Sequence, residues 1–467
     1  MYYWVSRSQI YGVVMVFWAK KSLRDRIKHH FGVDPTDLPI LTQEFASYNH
    51  VNVQLALDAF FAEKKGTQEM VGWQGGISVF SFKNSTLSEL VAAKSIATYF
   101  GFGGAKTAPV RYTTFTLDGG KVVSCVEKAL YFHKSQTEKL VIVLRADDSS
   151  FGMGENKVTL EVMAADKEKA EAFMEDIRSK LTNHNVYRGK ILSLDGKENG
   201  ININFQALPD VPREKIILPN GLLERIERQT IEVSKYSKAM LEAGRKLKRG
   251  VLLHGPPGTG KTMTAMYLAK AMQERTVIML TGRGLGLLER ASEIARWLQP
   301  SMIIIEDIDL IAEDRTNQSC NTPLLFELLN QMDGLSDDCD VLFLLTTNRP
   351  DILEPALASR PGRIDQAYEI GLPDTECRKR LFDLYSQGLV VKMDDMEKYI
   401  RQTKGASGAF INELLRKSAL FAAPEGSPIA IEERHMDEAM HELIFVGGLM
   451  TKKLLGFSLS DPVESSR

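Results

Sequence analysis

The sequence predicts an α/β protein of several domains, with an α/β module in its second half preceded by a mixed helical region and a small α+β domain. Three observations carry this reading. The chain has 467 residues, more than one hydrophobic core organises, so two to four domains of about 100 to 200 residues each are expected. From Val251 an apolar strand, VLLHG, runs into a glycine-rich loop and then a helix-forming run, TAMYLAKAM. Between Val110 and about Leu208, by contrast, apolar residues cluster in short runs or recur at every second position, as in half-buried strands.

The N-terminal region, 1–108, mixes helical stretches with the Gly-punctuated segment GWQGGISVFSF and ends at the loop GFGGAKTAP, a Gly/Pro-rich boundary. Within it, Ile10 to Ala19 is apolar throughout, but this is half of the roughly 20 residues a spanning helix needs. The charged segment KKSLRDRIKHH follows where a signal peptide would carry a small-residue cleavage site, so the run reads as a buried or interfacial element. The next region, 109–208, contains the strand candidates VRYTTFTL, LVIVL and the alternating Val158, Leu160 and Val162. It also contains one clear helix, with Ala170, Phe173, Ile177 and Leu181 on one face behind Asp166 as N-cap, and then the strand candidate GKILSL. The segment ALPDVPREKIILPNG carries three prolines and reads as a linker over 209–222. Leu223, Ile226 and Val233 then form the stripe of a helix that leads to Val251.

Bulk chemistry excludes several function classes. With 58 Lys+Arg against 60 Asp+Glu the net charge is −2, which supplies no general attraction to nucleic acid or to anionic membrane. Cys125, Cys320, Cys339 and Cys377 form no CxxC pair, so they read as reduced, inert thiols of a reducing, cytoplasmic compartment. No internal repeat or low-complexity tract appears.

The loop itself reads GPPGTGKT, satisfying G-x-x-x-x-G-K-[ST] between a strand and a helix. Glycines let the backbone curl around phosphates so that N–H groups and the following helix N-terminus point at the anion. Gly255, Pro256, Pro257, Gly258, Thr259, Gly260, Lys261, Thr262 and Met263 are therefore the expected nucleotide-binding residues. Lys261 reaches the β and γ phosphates of ATP and the Thr262 hydroxyl ligates Mg²⁺. His254, at the strand end, reads as packing. About forty residues on, the apolar strand SMIII ends in the carboxylates of Glu306 and Asp307, where phosphoryl transfer needs one acid at the metal and one at the attacking water. Asp309 reads as a cap of the next segment.

Together, GPPGTGKT, IIIEDID, LLTTNRPDILEPALASRPGRID and TKGASGAFINELL resemble the AAA ATPase family in order and spacing, over roughly Ile216 to Leu443. The resemblance implies a parallel sheet flanked by helices (223–373), a helical lid (374–445), a C-terminal tail (446–467), nucleotide between the two subdomains, and assembly as a homo-oligomer, a hexameric ring. Carried over by residue, Asn348 corresponds to the sensor that orients water near the γ-phosphate. Arg360 and Arg363 correspond to arginine fingers that reach a neighbouring subunit's ATP, where guanidinium groups stabilise charge on the transferring phosphoryl. One residue more than the commoner spacing precedes them. Gly405, Ser407, Gly408 and Ala409 match the lid turn, whose Gly408 and Ala409 face the nucleotide.

Two departures shape the functional expectation. The usual Asp-then-Glu order is inverted, which makes Glu306 the metal-side acid, one methylene longer, and Asp307 the water-side acid, one shorter. The interval TGRGLGLLERASEIARWLQP also lacks the aromatic that grips polypeptide in threading members. Both features are similar to the mitochondrial Bcs-type sub-group, although that group's spanning helix is absent. After the lid, His441-Glu442-Leu443-Ile444-Phe445 lacks the second histidine of HExxH, so zinc proteolysis is not expected. The reading is an ATP-hydrolysing, ring-forming ATPase that remodels protein substrates, with a nucleotide-gated scaffold of weak hydrolysis as its rival. Neither nucleic acid nor membrane is an expected partner.

Overall fold

A computed structural model describes residues 22–74, 86–91, 106–147, 155–197, 200–245, 247, 249–309, 323–334, 339–351, 364–393 and 395–446. The apolar run 10–19, Cys320, Arg360, Arg363 and the tail beyond Val446 lie outside these residues. The chain divides into two compact units, 1–186 with 198–200, and 187–197 with 201–467.

The first unit is built on an antiparallel sheet of β1 (Ile40–Ala46), β2 (Thr67–Gln74), β3 (Lys106–Ala108), β4 (Arg111–Thr116), β5 (Val122–Lys134), β6 (Lys139–Asp147) and β7 (Lys157–Ala164). Their order is β1-β7-β6-β5-β2-β3, with β4 also on β5. The period of two divides the side chains between two cores. Ala129, Tyr131, Leu140, Ile142, Leu144 and Val162 meet helices α2 (His50–Glu63) and α4 (Lys167–Asn183) on one face. Leu130, Phe132, Val141, Val143 and Met163 meet α1 (Leu23–Phe31) and α3 (Leu87–Val91) on the other. Helix α4 follows the sequence reading closely: Asp166 accepts from Lys169 N–H at 2.9 Å, and Ala170, Phe173, Ile177 and Leu181 are buried.

This unit corrects the expected boundaries. No division falls at 108, because β1 and β2 share one sheet with β5 and β7. Nor does the second region run to 208. Strand β8 (Ile191–Lys197), which takes up the ILSL of GKILSL, pairs in parallel with β11 (Thr276–Leu280), with Ile191 opposite Val277, and β9 (Gly200–Phe205) flanks β8. Parallel partners are joined by long crossovers, so local alternation does not say which sheet such a strand enters.

The second unit has the sheet order β14-β10-β13-β12-β11-β8-β9, with β10 (Arg249–His254), β12 (Ser301–Ile305), β13 (Val341–Thr347) and β14 (Gln366–Glu369) parallel to β11. Strands β12 and β13 are buried along their whole length, as expected of a sheet covered on both faces. The predicted single helix after the linker is instead interrupted. Helix α5 (Leu222–Glu227) passes into a π-helical turn at Arg228–Glu232, where the buried Thr230 hydroxyl donates to the carbonyls of Ile226 and Glu227 and competes for helical acceptors. Helices α6 (Lys261–Ala271), α7 (Leu288–Trp297) and α8 (Pro323–Asp333) follow. A separate helical bundle, α9 (Thr375–Tyr385), α10 (Met396–Gln402), α11 (Gly408–Ala422) and α12 (Glu433–His441), closes over its own core of Phe382, Tyr399, Phe410, Ile411, Leu414, Leu415 and Met436.

Candidate functional site

Three neighbouring parallel strands bring the site residues together. The Gly-rich loop leaves β10, Asn348 follows β13, and Glu306 and Asp307 follow β12, all at carboxyl ends, where open α/β sheets bind ligands.

The loop is shaped by close approach. Gly255 has φ +141°, and a Cβ there would lie 2.2 Å from the Ile370 carbonyl oxygen, because Ile370 N–H donates to the His254 carbonyl at 2.7 Å. Gly260, with φ +104°, caps α6. Lys261 is buried, and its ammonium donates to the carbonyls of Gly255 at 2.9 Å and Pro256 at 2.7 Å. Burial brings its pKa down to about 8, against the pull of the Asp307 and Asp309 carboxylates. Thr259 Oγ1 donates to the Pro256 carbonyl at 2.9 Å, while Thr262 and Met263 stand exposed on the first turn of α6.

The two acids occupy different environments. Glu306 is half-buried, with Oε1 enclosed and lacking a hydrogen-bond partner. Burial, and then the neighbouring Asp307 charge, raise its pKa, while a hydrogen bond with the Thr262 side chain works the other way. Asp307 sits at φ +49°, a left-handed conformation uncommon for a side-chain-bearing residue and tolerated best by Asp and Asn. It is held by Asp307 N–H donating to Thr346 Oγ1 at 3.1 Å and by Asn348 Nδ2 donating to Asp307 Oδ1 at 3.1 Å.

Beside the loop lies a cavity of about 380 Å³, lined by residues 257–264, Asp307 and Asn348, by Leu381, Tyr385, Gly408, Ala409 and Asn412 of the bundle, and by Lys215–Pro219. The bundle touches the loop directly. Ala409 N–H donates to the Gly258 carbonyl at 3.1 Å, and a Cβ at Gly258 would come within 2.8 Å of Ala409 Cβ and Ser407 Oγ. Ser407 in turn caps α11 by accepting from Phe410 N–H at 3.2 Å.

Sequence reasoning missed one wall of this cavity. The segment taken as a linker alternates its side chains: Ile216 and Leu218 are buried in the sheet core, whereas Ile217 packs on the bundle core. The uninterrupted apolar triplet between Pro212 and Pro219 was the available signal. Asn412, one helical turn beyond Gly408, was missed as well, and so was the placement of Asp309, which is buried. The turn at Gly282–Leu287 packs beside β8. Arg360 and Arg363 lie outside the described residues, so their relation to the cavity is not part of this geometry.

Residues 251–372 match the family model described as "ATPase family associated with various cellular activities (AAA)". The chain is 34% identical over 237 residues to a proteasome-activating nucleotidase of Methanothermobacter thermautotrophicus, covering 47% of this chain and 57% of the relative. It is 34% identical over 215 residues to the ATP-dependent zinc metalloprotease FtsH 4 of Sphaerobacter thermophilus, covering 43% and 32%. It is also 36% identical over 231 residues to a cell division cycle protein 48 homolog of Archaeoglobus fulgidus, covering 46% and 31%. The chain thus spans between about a third and under three fifths of the length of these relatives.

Proposed function

Because the second half of the chain carries a domain of the AAA ATPase family, we propose that it binds Mg·ATP in the cavity beside the Gly-rich loop and hydrolyses it. The observation that carries this reading is the hydrogen bond from Asn348 to Asp307 at the mouth of the loop. It aims a carboxylate, held in a strained conformation, into the space next to Lys261. Asp307 accepts a proton from the attacking water, and Asn348 holds both in line. Lys261 turns from the Gly255 and Pro256 carbonyls to the β and γ phosphates. Thr262 and Glu306 hold the divalent metal, and the fit is supported by the enclosed, unpartnered Oε1 of Glu306 beside the Thr262 side chain. Held there, Mg²⁺ would supply positive charge against that of the phosphates. The base is seated between Lys215–Pro219 and the bundle residues Leu381, Tyr385, Ala409 and Asn412.

Assembly belongs to the same proposal. Arg360 and Arg363 reach the ATP of the next subunit of a hexameric ring, and the ring remodels protein substrates chosen by the N-terminal unit in the cytoplasm. Two relatives support that direction by name, one as proteasome-activating and one as an ATP-dependent protease. The sequence His441-Glu442-Leu443-Ile444-Phe445, without a second histidine, assigns this chain no zinc-protease activity of its own. The Bcs-type likeness rests on the Glu306–Asp307 order and the missing aromatic. That same order motivates the second reading, a nucleotide-gated scaffold that hydrolyses slowly because its water-side acid is one methylene short.

The test is ATP turnover against protein concentration, with particle mass followed by light scattering. Specific activity that rises as a large assembly forms supports the ring ATPase. Assemblies that bind ATP but turn over at background select the scaffold, and a chain that binds no ATP refutes both.

A further inference from the structure

Five hydrogen bonds lace the end of β12 to the end of β13, and Asp309 accepts two of them. On one side, Asp307 N–H donates to Thr346 Oγ1 at 3.1 Å and Ile308 N–H to the Thr346 carbonyl at 3.0 Å. On the other, Asn348 Nδ2 donates to Asp307 Oδ1 at 3.1 Å. The remaining two converge on one oxygen: Thr347 Oγ1 donates to Asp309 Oδ1 at 2.8 Å, and Asn348 N–H donates to the same atom at 3.2 Å. Thr347 Oγ1 also accepts from Arg349 N–H at 3.0 Å, so the turn after β13 is tied on both flanks. Asp309 is 7% exposed and Thr347 fully buried. A carboxylate buried this deeply is costly to keep unless its oxygens are satisfied by hydrogen bonds, and here Thr347 and Asn348 supply them while the Lys261 ammonium is near enough to feel its charge. Both of these bonds come from the end of the neighbouring strand, 38 and 39 residues further along the chain.

We propose that Asp309 is a positioning residue for ATP hydrolysis, fixing the backbone of Asn348 so that its side-chain amide meets Asp307. The inference rests on the ATPase reading above. Asp309 touches neither nucleotide nor water in this scheme. Its carboxylate clamps the Thr347–Asn348 peptide, and the 3.1 Å bond to Asp307 is the output. Without the clamp the amide is free to swing, and errors of about 1 Å in a catalytic group cost on the order of a hundredfold.

The experiment is a double-mutant cycle on ATP turnover by the full chain, using Asp309→Ala, Asn348→Ala and the pair, with Asp309→Asn as the conservative variant. Asp309→Ala is expected to lower kcat about 10- to 100-fold, with KM for ATP and nucleotide Kd changed far less, since no binding contact is removed and only the Asp309 charge felt by Lys261 is lost. Asp309→Asn keeps an oxygen able to accept both bonds and is expected to recover most of that loss. In the Asn348→Ala background, Asp309→Ala is expected to cost less than about 2-fold more, because nothing remains to be positioned. Thr347→Val, nearly isosteric, removes one of the two donors and is expected to act in the same direction and be masked in the same way. It carries the test if Asp309→Ala fails to fold. Additive losses in the cycle, or a KM that rises as much as kcat falls, overturn the proposal. A wild-type chain that binds ATP but turns none over in any assembly state overturns the ATPase reading instead, and this inference with it.

Discussion

Replacing Glu306 with glutamine is expected to make the nucleotide-free protein more stable while abolishing its response to Mg²⁺. The buried Oε1 of Glu306 has no hydrogen-bond partner, and the Asp307 carboxylate stands next in the chain. An unpaired buried polar atom costs about 1–3 kcal/mol, and more when charged. The amide keeps the shape and sheds the charge, so a gain on the order of 1 kcal/mol is expected, or roughly 2–4 °C in Tm for a module of 150–250 residues. The pH dependence follows from the raised pKa of Glu306. Between the ordinary carboxylate value and the raised one the folded state holds the proton and the unfolded state does not, so wild-type stability falls as pH rises through that window. The advantage of the variant is therefore absent in acid and complete once wild-type Glu306 is ionised. With ADP and Mg²⁺ at a hundred times Kd, wild type gains about 2.7 kcal/mol, and Glu306→Gln is expected to gain no more with Mg²⁺ than with EDTA. The assay is thermal melting across pH, with and without EDTA, following the transition that nucleotide shifts. A variant less stable than wild type near neutral pH without metal, or one with a wild-type Mg²⁺-dependent gain, refutes the assignment of the unpartnered Glu306 Oε1 to a cation.

Three further outcomes are expected. Lys261, with a pKa brought down to about 8 by burial, is charged below that pH and must take up a proton to bind phosphate above it. Nucleotide affinity should therefore weaken by up to about tenfold per pH unit above that value, with matching proton uptake in calorimetry, and neither effect should persist in Lys261→Ala. Gly258→Ala drives a Cβ to 2.8 Å from Ala409 and Ser407, whereas Gly260→Ala, at φ +104°, meets nothing within 4 Å. Both pay backbone strain, and the overpacking cost of about 1–3 kcal/mol is expected to make the former weaken nucleotide binding some 5- to 150-fold more. Equal losses would mean that bundle docking contributes nothing to affinity. Arg360→Ala and Arg363→Ala are expected to reduce kcat by about 10³-fold or more, as for arginine fingers generally, with ATP binding retained. Unchanged turnover removes the inter-subunit part of the proposal.

The phosphate loop was legible in the sequence because its chemistry is local. Gly255 through Thr262 make their own turn, and the strand before and helix after are adjacent in the chain. The placing of Glu306 and Asp307 was legible for a related reason: both follow directly on the apolar strand SMIII. The helix behind Asp166 was likewise written in its cap and its spacing of three and four.

What only the tertiary structure decided are the partnerships across chain distance. Whether the strand at Ile191–Lys197 joined the antiparallel sheet before it or the parallel sheet after it depended on a crossover of some eighty residues to Val277, and no period-two pattern encodes the identity of a strand's neighbour. The linker became a wall of the cavity because Ile216 and Leu218 found one core and Ile217 the other, a division set by two subdomains folding on either side of it. Asp309 gained partners that no local pattern shows because β13, which ends 38 residues further along the chain, lies beside it in space and brings Thr347 and Asn348 to its carboxylate. The sequence determined which groups are candidates for chemistry; the sheet order determined which groups stand against them.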